Sequence, residues 1–165
     1  MKKVLLISMM LIMIVSTAAF AGEKMVTLES NYSFSMSNAL YSYIPLDIEF
    51  SGAISDSSAY AVRLIFVPSS YFSAYGAGAS YRGYFNPTAL NGPYWGIGVD
   101  LVNISISMFG FKSSVFVVTP KAEIGYDYIM NGGFAIGIKG YAGYAIASGL
   151  NQFDGGLGFR IGYSW

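Results

Sequence analysis

The chain has 165 residues, nine Lys plus Arg against nine Asp plus Glu, 54% hydrophobic and 17% aromatic content, and no Cys or His. Only 11% of its residues are charged, against about 25% in a typical soluble domain. That balance argues against an ordinary water-soluble globule. No basic patch suits nucleic acid, and without Cys there is no disulfide or thiolate chemistry.

The N-terminus reads Met1-Lys2-Lys3, an apolar run from Val4 to Val15, then Ala19-Phe20-Ala21. A basic start, a short apolar core and a small-x-small site predict a helical secretory signal peptide over residues 1–21, cleaved after Ala21. Residues 22–165 then form one domain. Losing Lys2 and Lys3 leaves seven basic residues against nine acidic ones. No second apolar run approaches the twenty residues of a spanning helix.

Eight strands are predicted after the signal, each alternating between a large apolar face and a small or charged face. The first covers about Met25 to Met36, followed by a loop at Ser37-Asn38-Ala39. The second covers about Tyr41 to Ser51, with a turn over Ile54 to Ser58. The third covers about Ala59 to Val67 and stops at Pro68-Ser69-Ser70. The fourth runs about Phe72 to Phe85, and Asn86-Pro87 and Asn91-Gly92-Pro93 bracket the next turn. The fifth runs about Tyr94 to Ser107. Its apolar phase moves from Trp95, Ile97, Val99 and Leu101 to Ile104, Ile106 and Met108, which predicts a β-bulge near Val102-Asn103. The sixth runs about Ser114 to Tyr128, and Pro120 within it predicts a local irregularity. Asn131-Gly132-Gly133 is the strongest turn signal. The seventh runs about Phe134 to Ala147. After the short Ser148–Gln152 loop, the eighth alternates from Phe153 to Trp165.

Strands of this length suit a tilted crossing of an apolar band ~25 Å tall. Lipid leaves no edge unpaired, so a greasy chain without spanning helices is predicted to close on itself. The predicted fold is all-β, an eight-stranded antiparallel up-and-down transmembrane β-barrel. A ligand-binding barrel with its greasy face inward is the alternative. The small residues of the second face (Gly, Ser, Ala, Thr) decide against it, because a narrow lumen rewards them and a wet surface would carry more Lys and Glu. Aromatics near strand ends (Tyr32, Tyr60, Trp95, Tyr126, Tyr128, Tyr163, Trp165) fit interfacial girdles. An even strand number puts both termini on the periplasmic side of the outer membrane.

In that phase the inward charges are Glu29, Asp47, Glu49, Arg63, Arg82, Asp100, Lys121, Glu123, Asp127, Lys139, Asp154 and Arg160. Hairpin geometry predicts Asp47 opposite Arg63, and Arg82 beside Asp100. It sets Lys139 across from Gly125, with Glu123 and Asp127 diagonal to it. Barrel closure brings Arg160 towards Glu29. A tight lumen demands such pairing. The network is read as a salt-bridged plug rather than a pore, since eight strands leave no aqueous channel.

Enzyme chemistry is not expected. Without His there is no Ser-His pair and no imidazole metal ligand. Asp47 and Glu49 are two apart on one strand, but ion pairing suits them better than glycoside hydrolysis or calcium binding. Gly76-Ala77-Gly78 and Gly96-Ile97-Gly98 lie inside strands with no following helix, so they are not phosphate loops. No cofactor or metal is predicted.

Tyr81-Arg82-Gly83-Tyr84-Phe85, Gly92-Pro93-Tyr94-Trp95-Gly96, Ala122-Glu123-Ile124-Gly125-Tyr126 and the closing Gly158-Phe159-Arg160-Ile161-Gly162-Tyr163-Ser164-Trp165 give the chain its family look. With them it resembles small bacterial outer-membrane β-barrel proteins of the OmpA-type and OmpW-type barrel superfamily. The resemblance implies that Tyr163 and Trp165 are read by the barrel-assembly machinery during insertion into outer-membrane lipid. The peptidoglycan-binding domain of full-length OmpA-type proteins has no counterpart here, so no cell-wall tether is expected. Two roles follow: a structural or surface-interaction protein of the envelope, or OmpW-like passage of a small hydrophobic ligand across the outer membrane.

Overall fold

The computed structural model describes residues 23–33, 46–67, 72–108, 111–148 and 150–165. The predicted signal peptide, the Ser37-Asn38-Ala39 loop and the Pro68-Ser69-Ser70 break lie outside these residues. Eight antiparallel strands run in chain order: β1 (Lys24–Ser33), β2 (Leu46–Ser55), β3 (Ser58–Val67), β4 (Phe72–Tyr84), β5 (Gly92–Met108), β6 (Phe111–Ile129), β7 (Phe134–Ala147) and β8 (Leu150–Ser164). Each pairs with the next, and β1 pairs with β8, so the sheet is a closed barrel. Closure extends to the last residue: the Lys24 N–H donates to Trp165 O (3.0 Å), and the Trp165 N–H donates to Lys24 O (2.9 Å).

Period-two alternation sorts the wall into two faces. On β7 the outward Ile138 is 62% exposed, whereas the neighbouring Lys139 is 3% exposed. A wall that shows isoleucine and hides lysine is inverted relative to a soluble protein. Outward aromatics gather towards the end that holds Lys24 and Trp165 (Tyr81, Trp95, Tyr126, Tyr128, Phe134, Tyr163) and again towards the far end (Tyr75, Phe116, Tyr144, Phe153). Ile97, Val99, Leu101, Ile138 and Ile161 lie between. Glycines are covered by some of these rings: a Cβ on Gly83 would stand 2.6 Å from the Trp95 indole, and one on Gly52 2.6 Å from the Tyr60 ring.

Two local expectations change, and the irregularity expected at Pro120 is found. The β2–β3 hairpin is tighter than predicted. Ser55 pairs with Ser58 across the two residues Asp56 and Ser57, with a register shift between Ala53 and Ser55. In consequence Glu49, not Asp47, stands opposite Arg63, and Asp47 faces Ile65. On β5 no bulge occurs. The register to both neighbours runs unbroken through Val102 and Asn103, so Val102 and Ile104 keep the inward phase of Asp100. The apolar shift there marks a change in the lumen, not in the backbone. At Pro120 the β6–β7 ladder omits Thr119 and Pro120 yet resumes in the same register, since proline lacks the N–H to donate.

The terminal end is sealed by the β4–β5 connection. Leu90 and Ala89 turn inward and pack with Met25, Ala59, Tyr84, Tyr94 and Ala135. Leu90 has φ of 68°, a conformation that costs a non-glycine residue about 1 kcal/mol or more. It is wholly buried, and burying a leucine side chain returns about 1.5–3 kcal/mol. The β6–β7 turn meets the same demand with glycine instead, Gly132 at φ 103° and Gly133 at φ 88°.

Candidate functional site: the ion-paired lumen

Seven charged side chains form one chain of contacts through the middle of the lumen. Asp127 pairs with Arg160, whose Nη1 lies 3.0 Å from Glu49 Oε1. Glu49 Oε2 accepts from Arg82 Nη2 at 2.7 Å, and Arg82 Nε donates to Glu123 Oε1 at 2.6 Å. Glu123 Oε2 stands 3.9 Å from Lys139 Nζ, and Lys139 pairs with Glu29. All seven side chains are at most 1% exposed. A second, smaller group lies nearer the far end. Asp100 accepts from Arg63 Nε at 3.0 Å and from Lys121 Nζ at 2.7 Å. Asp47 takes a hydrogen bond from Asn31 Nδ2 at 2.8 Å, and Asp154 lines the lumen beside it.

These partners differ from the hairpin expectation. Arg63 pairs with Asp100 and not Asp47; Arg82 pairs with Glu49 and Glu123 and not Asp100. Arg160 stands opposite Glu29 in the ladder, yet its guanidinium reaches Glu49 and Asp127. Lys139 does lie across from Gly125. The physical reason is reach. Each of these pairs joins strands two apart in the ring, so a long side chain spans the strand between rather than folding onto its ladder neighbour.

Glycine makes that crossing possible. Arg63, Gly78 and Asp100 occupy one row on β3, β4 and β5. Arg82, Gly96 and Glu123 repeat the pattern on β4, β5 and β6. Asp127, Gly137 and Arg160 repeat it on β6, β7 and β8. Each ion pair passes over the glycine between its strands. A Cβ on Gly78 would lie 2.8 Å from Arg63 Nε, and one on Gly96 2.8 Å from Glu123 Cγ. Sequence reasoning passed over these spacers; the signal was a glycine in the ladder between two residues of opposite charge.

Tyr94 completes the packing. Its ring is 1% exposed and lies between two guanidiniums, Arg82 Cζ at 4.9 Å and Arg160 Cζ at 5.0 Å from its centroid. Desolvated cation–π contacts of this kind contribute up to about 2 kcal/mol. The Tyr84 hydroxyl donates to Asp127 Oδ2 at 3.0 Å. Ser51 and Ser80 add contacts to Glu49 and Glu123. The lumen centre is thus filled by buried side chains that hold one another.

Among the described residues, no three His, Cys, Asp or Glu side chains are grouped to hold a metal. Tyr163 and Trp165 face outward, 52% and 56% exposed, at the seam between β8 and β1.

Replacing Arg63 tests the smaller group. Asp100 keeps Lys121 and is itself 15% exposed. Arg63→Ala is therefore expected to cost only about 1–2 kcal/mol, less than a fully buried broken pair, read as a lowered urea midpoint for the barrel in lipid vesicles.

No family model matches this sequence, and no curated protein matches it significantly. Solved structures do. Neisserial surface protein A (NspA) superposes with a TM-score of 0.64 at 18% identity, covering 86% of this chain and 95% of that one. The N-terminal β-barrel domain of Pseudomonas aeruginosa OprF gives 0.64 at 13% identity, covering 87% and 98%. Ail, the attachment invasion locus protein of Yersinia pestis, gives 0.58 at 13% identity, covering 88% and 100%. With its closed ring of eight antiparallel strands, the chain has the fold of the small outer-membrane β-barrels.

Proposed function

We propose that this chain is a bacterial outer-membrane protein with a sealed lumen and a structural or surface-interaction role in the envelope. The observation that carries the reading is the inverted wall: isoleucine and aromatic side chains outward, a continuous ionic chain within. Acyl chains match the outer face, and the ion pairs hold the ring against collapse or distortion. The names of two structural neighbours, a surface protein and an attachment protein, support a role at the cell surface. In this reading residues 1–21 direct export, both barrel termini face the periplasm, and Tyr163 and Trp165 serve recognition by the assembly machinery. The chain performs no catalysis and needs no cofactor.

Purified protein in planar bilayers is expected to give no steady conductance. Persistent channels of porin size in the wild type would overturn the sealed lumen.

A second reading, passage of small hydrophobic molecules, is favoured by one feature. Beyond Asp100 the inner face turns apolar, with Ile65, Val67, Val102, Ile104 and Val117 around a cavity of about 130 Å³. Deleting the gene and measuring uptake of hydrophobic compounds tests it; loss of uptake would favour transport over a sealed scaffold.

A further inference from the structure

We propose that this far-end cavity is a binding cup for a small, uncharged, apolar molecule of about the size of benzene. The inference deepens the passage reading, on which it rests for a guest that reaches the far end, by naming the chemistry of that guest. Three observations carry it.

The first is the wall. Ile65 and Val67 on β3, Val102 and Ile104 on β5 and Val117 on β6 surround the cavity. Two residues back along the first two strands, the same inward rows carry Arg63 and Asp100. The aliphatic side chains face away from the acyl chains outside, so lipid does not account for them. Aliphatic surface on the inside of a narrow ring suits an apolar guest.

The second is access and size. All five aliphatic side chains are only partly buried, whereas Arg82, Glu123 and Arg160 deeper in the lumen are closed. A small molecule arriving at the far end therefore meets aliphatic surface first. The cavity of about 130 Å³ is near the ~150 Å³ at which an engineered apolar cavity accepts benzene.

The third is the floor, where each charged group is already engaged. Asp100 accepts from Arg63 Nε on one oxygen and from Lys121 Nζ on the other. Lys121 Nζ also lies 5.5 Å from the centroid of the Tyr141 ring. Asp47 accepts from Asn31, and Asp154 has a partner within the protein. An ammonium or carboxylate head would shed its water here without gaining an open counter-ion. An uncharged guest avoids that cost and keeps the gain from the wall.

The test uses the full barrel in lipid nanodiscs with methyl-labelled Ile and Val. Benzene, n-butylamine and butanoate are titrated in turn. Benzene is expected to shift the inward methyls of Ile65, Val102, Ile104 and Val117 saturably, while the outward Ile97, Ile138 and Ile161 move only linearly with added benzene. Both charged molecules are expected to bind at least ~10-fold more weakly. Val102→Phe and Ile65→Phe fill the cup from two different walls, and each should abolish the saturable shift; unchanged outward methyls report that the variant is folded. Linear shifts at inward and outward methyls alike would mean partition into lipid, and silent inward methyls would mean that another part of the protein fills the cup. Either result would overturn the proposal, as would equal binding of the charged molecules or saturable binding that survives both phenylalanines. Uptake by cells is read separately. Loss of uptake on gene deletion without saturable benzene binding would overturn the cup alone, whereas saturable binding with unchanged uptake would keep the cup and overturn passage.

Discussion

Arg82→Met is expected to lower the unfolding free energy by about 3–5 kcal/mol, the cost of stripping a buried charge of its partner. Arg82 is fully buried and joins Glu49 to Glu123. Methionine keeps the apolar stem but removes every donor. Glu49 then depends on Arg160 at 3.0 Å, and Glu123 on Lys139 at 3.9 Å. The Tyr94 ring also loses one of its two guanidiniums. Urea titration of the folded barrel in vesicles reads the effect. The double variant Arg82→Met/Glu123→Gln should recover part of the loss, because one orphaned carboxylate is gone. A single variant as stable as the wild type would show that the chain of contacts contributes nothing to the fold.

Gly137→Val is expected to be nearly as damaging for a different reason. The added Cβ would stand 2.7 Å from Arg160 Nε and closer still to Asp127 Oδ1. One side chain must leave, so overpacking of about 1–3 kcal/mol is joined by loss of a buried pair. Gly140→Val is the control. It lies on the same strand but faces outward, and its Cβ would meet only Leu157 Cδ2 at 3.7 Å and Gly156 O at 4.0 Å. Valine there suits both strand and lipid, so the midpoint should hold or rise. Equal losses for both variants would mean that valine is harmful to β7 wherever it sits.

The strand layout was legible because alternation and turn chemistry are local. Phe134–Ala147 and Ser58–Val67 stand where the pattern puts them, give or take one residue. Register was less legible. One extra residue absorbed between Ala53 and Ser55, with a two-residue turn at Asp56-Ser57, moved Arg63 from Asp47 to Glu49. Partner identity was least legible. Ladder neighbours are a two-dimensional property of a sheet, whereas Arg63 and Arg82 choose partners across a rolled-up one. The β5 phase shift illustrates the same limit. Ile104 read as a residue that should face lipid, because the lumen was assumed polar throughout; the unbroken ladder keeps it inside.

Two of the buried pairs straddle the place where the ring shuts. Arg160 on β8 reaches Glu49 on β2, and Lys139 on β7 reaches Glu29 on β1. Neither can exist in an open sheet, whatever its other hairpins have achieved. Both pairs therefore form only when the last strand docks against the first. Parting the two strands along their whole seam would leave Glu29, Lys139, Glu49 and Arg160 to find other partners.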